Sequence, residues 1–272
     1  MLAISLVAAL AFVQQQPLDP KELIRQSVLN YEKAWRAGIQ WSYTQTDVTC
    51  DDGTKEVDVS QVIPLDGTPY QRLVSKNGHA LAPEEQRQED EKYRKELRRR
   101  ESESPAERQA RIDKYAQQRA FLMEVPEAYN FRLEGDDLVA GRPAWIVHVT
   151  PRPGFEPTMP HANMLRHIDG RLWIDKQDIQ WAKAEAEVID TVAIGVILAR
   201  IGPGARITLD FTRVSDSLWV PKELTIKGEA RVLLVHTKNL DEQLTFSGYH
   251  IPQKNELVSG YRQNNSECCT SR

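Results

Sequence analysis

The chain has 272 residues, of which 40% are hydrophobic and 27% charged, so it can bury a core of its own without disulfides or metals. The 39 acidic residues outnumber the 35 basic ones and give a formal net charge of -4. Because no basic excess is available to neutralise a phosphate backbone, nucleic acid is not expected as a partner. Cys50, Cys268 and Cys269 offer neither a disulfide framework nor the paired spacing of a zinc site, so no metal and no cofactor are predicted.

The amino terminus carries a run over residues 2–13 that is apolar except for Ser5, followed by three glutamines and Pro17. The run is too short to cross a bilayer, which takes about 20 apolar residues. It matches the hydrophobic region of a secretory signal, with Ala9-Leu10-Ala11 as a cleavage candidate, although no Lys or Arg precedes it. We therefore predict a signal-peptide-like segment over residues 1–16, a periplasmic location after cleavage and no transmembrane span.

A first helix is predicted from about Pro20 to Ala37. Asp19 can cap the free N–H groups, and Pro20 suits the first turn. Apolar residues then recur at helical spacing up to Trp35, and Gly38 follows the last turn. This stripe must pack against another element, for which the later part of the chain offers strands.

The rest of the chain has the alternation and the short turn signals of antiparallel strands. Residues 191–201 are compatible with either a short helix or a buried strand. Because no βαβ alternation occurs, we predict an α+β fold, mainly antiparallel β, in which one curved sheet surrounds the first helix. The predicted strands cover residues 41–50, 55–65, 68–75, 131–133, 144–149, 170–175, 179–191, 206–214, 218–227, 231–237 and 243–249.

A charged helical insertion is predicted over residues 83–123. Fifteen of the twenty residues 84–103 are charged, and Tyr93 and Leu97 are the sizeable apolar groups. The composition indicates a solvated helical excursion without a core face, held by opposite charges three and four residues apart. A docking arm for a partner is the alternative.

Three short segments resemble the outer-membrane lipoprotein-sorting family, the LolA, LolB and RseB group. They are Gly170-Arg171-Leu172-Trp173-Ile174-Asp175-Lys176, the step from Gly141 to Val147, and Trp219-Val220-Pro221. The resemblance implies a curved half-open β-barrel of about eleven strands, closed by helices, whose apolar concave face takes acyl chains or a hydrophobic peptide. The resemblance covers roughly residues 131–249 and, more loosely, the first helix and hairpins. We predict one such domain at residues 17–262, followed by a polar tail, residues 263–272, that is expected to be disordered.

The strand after residue 180 suggests a cavity lining independently of the resemblance. One of its faces carries small groups, and a later strand offers larger apolar ones. Small groups on a concave face leave volume for a chain, with about 0.8 kcal/mol for each methylene buried. Alternatively, the alanines merely allow the first helix to approach closely. The predicted ligand-contacting residues are Ala182, Ala184, Ala186, Val188, Ile207, Leu209 and Phe211.

No nucleophile, zinc-protease or nucleotide-binding motif occurs, and no catalytic residue is predicted. A less favoured alternative is a metal-dependent hydrolase, with His148, His161, His167 and Asp169 gathered around the proline-rich loop. Asp175 is expected to accept backbone N–H groups in the turn before Ile179.

The combined hypothesis is a periplasmic, non-enzymatic binding protein that holds a lipid or an acylated lipoprotein segment. An RseB-like envelope sensor, which engages a protein partner without lipid transfer, is the alternative function.

Overall fold

The computed structural model describes residues 18–51, 53–194, 199–216, 218–232 and 236–253. The signal-peptide-like segment 1–16 and the tail 263–272 lie outside these ranges, as do Cys268 and Cys269. Among the helices described, none has the length and apolar character needed to span a membrane.

Helix α1 (Pro20–Gly38) begins and ends within one residue of its predicted bounds. The Asp19 carboxylate caps it by accepting a hydrogen bond from the backbone N–H of Lys21 at 3.0 Å, and Pro20 occupies the first turn, where no N–H partner is needed. Its apolar stripe is buried, with Ile24 fully inaccessible to solvent. The helix is therefore amphipathic and packs by the face that the periodicity predicted.

Further helical segments follow in the predicted insertion and in the proline-rich loop. They are α2 (Pro83–Glu101), α3 (Pro105–Gln117), α4 (Val125–Ala128) and two short 3-10 helices, Ala120–Glu124 and Ala162–His167.

The strands form one antiparallel sheet whose path runs β4-β3-β2-β1-β13-β12-β11-β8-β7-β6-β5, with β10 joined to β12 and β9 to β10. No pairing joins β4 to β5 among the described residues, so the sheet is open. The predicted fold class is confirmed. The strands are β1 (Ser42–Asp51), β2 (Thr54–Leu65), β3 (Thr68–Lys76), β4 (His79–Ala80), β5 (Tyr129–Val139), β6 (Arg142–Pro151), β7 (Ile168–Asp175), β8 (Trp181–Val188), β9 (Val192–Ile194), β10 (Ala199–Ile201), β11 (Arg206–Ser215), β12 (Leu218–Val232) and β13 (His236–His250).

The sheet curves around α1. The helix contacts both β5, at one end of the strand order, and β12 in its middle. Leu23, Ile24 and Val28 of the helix belong to one core cluster with residues of β5, β6, β7, β8, β11 and β12. A flat sheet could not reach one helix from strands so far apart in its order, so the helix lies in the hollow of a half-barrel.

The end of the sheet differs from the prediction. Residues 218–227 and 231–237 were expected to be separate strands, but β12 continues through Gly228 to Val232, and residues 236–250 form a single strand. Gly228 serves a close approach: a Cβ there would lie 2.5 Å from the Cβ of Ala205. The glycine that resembles a turn signal is needed for packing within a long strand.

The segment of ambiguous periodicity, residues 191–201, contains strands β9 and β10, which pair with each other. Residues 195–198 between them lie outside the described chain. The strand alternative is therefore the correct one for the part that is described.

The expectation that the charged insertion has no core face is wrong. Tyr93 of α2 is 3% exposed and packs with Ile63 and Leu65 of β2. About two turns further on, the buried Arg100 guanidinium donates hydrogen bonds to the backbone oxygens of Leu65 and Thr68. A single aromatic ring and a guanidinium that binds turn carbonyls thus provide a buried face that hydrophobic periodicity cannot detect.

Helix α3 is held differently, by charges and polar groups at its surface. Ser104 and Glu107 form a capping box at its start, and the helix has no buried residue. Arg111 donates to the Glu103 carboxylate at 2.7 Å and to the Thr68 hydroxyl at 2.7 Å. The β2–β3 turn is therefore bound by arginines from both helices of the insertion.

Replacing Tyr93 by Ala should detach α2 from the sheet. Loss of a buried aromatic ring is expected to lower the free energy of unfolding by about 3 kcal/mol, measured by urea denaturation, and to open residues 83–117 to proteolysis. Glu91→Ala, an exposed position on the same helix, should change stability by less than about 0.5 kcal/mol. Equal protease resistance in Tyr93→Ala and wild type would contradict this account.

The β7–β8 turn is organised by Asp175, as predicted. Its carboxylate is 1% exposed and accepts backbone N–H groups of Gln177 at 3.0 Å and Asp178 at 2.7 Å. Arg142 donates two further hydrogen bonds at 2.6 and 2.9 Å. Burial alone would raise the pKa of Asp175, but the hydrogen bonds from Arg142 and the backbone outweigh it and hold the pKa below its ordinary value.

Arg142→Ala leaves this carboxylate buried without its cation and should cost about 2 kcal/mol of stability at neutral pH. Because the pKa of Asp175 is lowered on folding, the contribution is present above about pH 4 and is lost as the pH falls through the folded pKa. The difference in unfolding free energy between wild type and Arg142→Ala, measured by urea titration, should therefore disappear at acidic pH. Arg132→Ala, which removes an exposed pair with Glu134, is the control and should cost less than about 1 kcal/mol.

Candidate binding cavity

A cavity of about 250 Å³ lies between the carboxyl-terminal half of α1, the sheet and the charged insertion. We call it the aromatic cavity. Its lining comes from elements far apart in the sequence and is almost entirely aromatic or aliphatic. The lining residues are Tyr31, Ala34, Trp35, Gly38, Ile39, Trp41, Tyr43, Pro69, Tyr115, Arg119, Phe211, Trp219, Val220, Pro221, Phe246 and Tyr249.

Helix α1 provides one wall through Tyr31, Ala34, Trp35 and Gly38. These positions are three, four and seven residues apart, so they share one helix face. Two of them are large rings, and the other two are the smallest residues available. A Cβ added at Gly38 would meet no atom within 4 Å. The empty space therefore begins where the helix face lacks side chains.

The sheet provides the opposite wall through rings that support one another. Tyr43 on β1 lies 4.9 Å from the ring of Tyr249 and 6.0 Å from that of Phe246, both on β13. The hydroxyl of Tyr249 donates to the backbone oxygen of Pro221 at 2.7 Å. Trp219 on β12 is oriented by a hydrogen bond from its indole N–H to Asp178 at 2.9 Å. These contacts fix the rings, so the wall cannot readily collapse into the cavity.

The insertion covers the cavity from a third side. The ring of Tyr115, on α3, stacks against Trp35 at 5.4 Å. The guanidinium carbon of Arg119 lies 4.3 Å from the Trp35 ring centre and 4.9 Å from that of Tyr31. The charged segment thus completes an apolar site, a role that its composition does not indicate.

Tyr43, Tyr115 and Tyr249 of the cavity are neutral at physiological pH, because their pKa values are raised further above it. Burial raises the pKa of Tyr43 to about 12, and the nearby Tyr115 phenol adds to the rise. Burial likewise raises the pKa values of Tyr249 and Tyr115. Arg119 is therefore the one lining residue of the described chain that carries a formal charge, and it is positive.

Phe211 is the one residue of the predicted ligand-contacting set that lines the aromatic cavity. Ala182, Ala184 and Leu209 pack in or against the core cluster that contains the first half of α1. Val188 belongs to a separate cluster. Ala186 and Ile207 border a polar depression with Arg171 and Glu185. Contact between a ligand and the six other residues stays a prediction.

Sequence reasoning did not select most of the cavity's aromatic residues. Tyr31 and Trp35 were visible as part of the helix stripe, and Trp219-Val220-Pro221 as part of the family resemblance, but neither pattern indicated an empty space. Tyr115 and Arg119 lie in a segment whose composition indicates solvent. No signal in the sequence brings these elements together.

The residues of the metal-hydrolase alternative are not gathered into one site. The His148 Nε2 lies 2.8 Å from the Asp169 carboxylate, whereas the His167 Nδ1 lies 3.6 Å from Asp190. Across the described ranges, no group of three or more His, Cys, Asp or Glu side chains is placed to hold a metal ion. His148 is a hydrogen-bonded strand residue, which was the simpler expectation for it.

Fold and cavity together define an open antiparallel half-barrel with an apolar site beneath its helix. Comparisons with solved structures find chains of low sequence identity and partial structural similarity. A chain described as an outer membrane lipoprotein-sorting protein domain from Vibrio parahaemolyticus is 12% identical, with 86% of this chain and 97% of that chain covered and a TM-score of 0.36. A LolA superfamily protein from Nitrosomonas europaea is 9% identical, with 85% and 99% covered and a TM-score of 0.31. MucB in the MucA/MucB complex of Pseudomonas aeruginosa is 13% identical, with 82% and 94% covered and a TM-score of 0.26.

No family model matches the sequence, and no curated protein matches it. The resemblance predicted from the three sequence segments, to the lipoprotein-sorting group, is found again among the solved structures. This resemblance is one of fold, and it does not assign the ligands of those proteins to this chain.

The raised pKa of Tyr43 predicts a loss of stability in alkali. The phenol ionises at about pH 10 in the unfolded chain and at about 12 in the folded one, so stability is full below about pH 10 and falls as the pH rises toward the folded pKa. Between about pH 9 and about pH 11, the unfolding free energy of wild type, measured by urea titration, should fall by about 1 kcal/mol more than that of Tyr43→Phe. Identical losses in the two proteins would show that Tyr43 ionises freely in the folded state.

Proposed function

We propose that this chain is a periplasmic, non-enzymatic binding protein of the lipoprotein-sorting type, which carries the apolar chain of a lipid or of a lipidated peptide in the aromatic cavity. The observation that supports this most directly is the cavity of about 250 Å³ with its aromatic and aliphatic walls. Interiors are normally filled to crystal-like density, so a space of this size beneath an ordered helix is suited to a ligand. The periplasmic part of the proposal depends on the apolar run of residues 2–13.

The volume limits the ligand. An engineered cavity of about 150 Å³ takes up benzene, so this larger one has room for more than a single ring. If a methylene occupies about as much space as a water molecule does in the liquid, about 30 Å³, the cavity holds about eight. A longer acyl chain would extend from the mouth into solvent or against a partner protein.

The energy of such binding follows from the buried carbons. Eight methylenes at about 0.8 kcal/mol each contribute about 6 kcal/mol. Association costs at least about 4 kcal/mol in lost translational and rotational freedom. Apolar burial alone therefore gives weak, reversible binding, which suits a carrier that must release its cargo.

The sensor alternative depended on a charged arm free to engage a partner. That arm is packed against the sheet through Tyr93 and Arg100, and Tyr115 and Arg119 belong to the cavity. Deleting residues 84–123 would consequently damage the fold and the cavity together. An envelope protein that delivers or receives the acylated cargo stays a prediction.

A series of neutral alcohols from 1-butanol to 1-dodecanol tests the proposed function by calorimetry. Affinity should increase about fourfold for each added methylene and level off near eight carbons, when the cavity is full. Burial of apolar surface should also give a negative heat-capacity change on binding. The absence of any chain-length dependence would refute apolar binding in the cavity.

Gly38 offers a matched pair of variants that differ in volume. Gly38→Phe places a ring in the open space at the helix face and should abolish 1-octanol binding, whereas Gly38→Ala replaces the same glycine but adds a single methyl group. Gly38→Ala should bind 1-octanol within about threefold of wild type, since one methyl removes little of the volume. Equal binding by Gly38→Phe and Gly38→Ala would place the alcohol elsewhere.

A further inference from the structure

Arg119 is a cation at an apolar site with hydrogen-bonding capacity to spare. Its Nε is buried, and among the described residues it has no hydrogen-bond partner. The nearest carboxylate oxygen, on Glu32, lies 4.0 Å from that nitrogen, which is too far for a hydrogen bond. A buried donor without a partner is costly, and 20% of the Arg119 side chain stays exposed, so an acceptor that reaches the guanidinium group is favoured.

The charge of Arg119 is also incompletely balanced. Glu32 already binds Arg36, whose guanidinium nitrogen lies 2.7 Å from its carboxylate. One carboxylate therefore faces two guanidinium groups, and no acidic residue is found among the described residues that line the aromatic cavity. The phenols of Tyr43, Tyr115 and Tyr249 stay neutral, as their raised pKa values indicate. The formal charge carried by the described lining residues is consequently positive.

The rings beside Arg119 hold the guanidinium without occupying its donors. Trp35 and Tyr31 lie 4.3 and 4.9 Å from its central carbon, at a distance typical of cation–π contacts. Such contacts involve the face of the guanidinium plane, whereas the N–H donors point outward within that plane. A planar or tetrahedral anion at the edge of the plane can therefore be bound by more than one N–H.

Building on the proposed function, we infer that the aromatic cavity selects amphiphiles with an anionic head group, a carboxylate or a phosphate monoester, whose oxygens accept hydrogen bonds from Arg119 while the chain fills the aromatic part. The single lining charge, the unpartnered buried nitrogen and the lack of lining carboxylates all favour this class over neutral or cationic amphiphiles. Free fatty acids and phosphorylated lipids share this chemistry.

Ligands with one chain and different heads separate the two proposals. Octanoate, octyl phosphate and 1-octanol have the same chain, and titration of each into the full chain reports the head-group contribution. Octanoate should bind at least about tenfold more tightly than 1-octanol, since a hydrogen bond to a charged group contributes at least about a factor of ten in affinity. Tighter binding of octyl phosphate than of octanoate would indicate a phosphorylated lipid, and the reverse order a fatty acid.

Arg119→Gln should remove the preference, so that the ratio of octanoate affinity to 1-octanol affinity falls from at least about tenfold to about one, because a neutral amide does not attract a carboxylate. Arg25→Gln is the matched control: it removes an exposed arginine of the same helix as Trp35, paired with Glu22 and not lining the cavity, so the preference should persist. Arg119→Lys keeps the positive charge and should retain part of the preference for octanoate.

Equal affinities of wild type for octanoate and 1-octanol would overturn this inference and leave the proposed function standing. If neither ligand binds, the proposed function fails first. If Arg119→Gln weakens 1-octanol as much as octanoate, Arg119 acts as a wall of the cavity, and head-group selection by it is excluded.

Discussion

The buried carboxylate of Asp175 is the interaction on which both the helix and the cavity wall depend. By binding the backbone N–H groups of Gln177 and Asp178 it fixes the β7–β8 turn. That turn holds α1, because the Asn30 side chain donates to the backbone oxygens of residues 178 and 179. It also holds Trp219, through the Asp178 carboxylate. One buried charge, balanced by Arg142, thus sets the position of α1 relative to β12.

Given that placement, the aromatic cavity results from a helix that fills only part of the hollow. The first half of α1 packs tightly, with Ile24 and Val28 almost fully buried. The second half presents Ala34 and Gly38 between two rings, so it cannot fill the space opposite Phe211. Rings that are stacked and hydrogen-bonded do not collapse inward as flexible side chains would, and the volume is preserved.

The parts of the fold that could be predicted are those fixed by local chemistry. The cap at Asp19, the β2–β3 turn at Asp66-Gly67 and the Asp175 turn each depend on contacts within a few residues, and each is present. Gly228 shows the limit of this reasoning. A glycine in a polar stretch usually marks a turn, but here its missing side chain admits Ala205, a residue brought close only by the pairing of the sheet.

The candidate site is harder to predict because its residues come together only in the folded chain and show no regular spacing in the sequence. Tyr31 and Tyr249 line one cavity although more than two hundred positions separate them. The charged insertion adds a second difficulty: its exposed ion pairs account for the composition, whereas its function lies in the few side chains that face inward. A guanidinium costs less to desolvate than an ammonium group and can lie flat on aromatic rings. Arg119 can therefore belong to an apolar wall while keeping its charge. This combination is the physical basis of the head-group selection that we propose for the aromatic cavity.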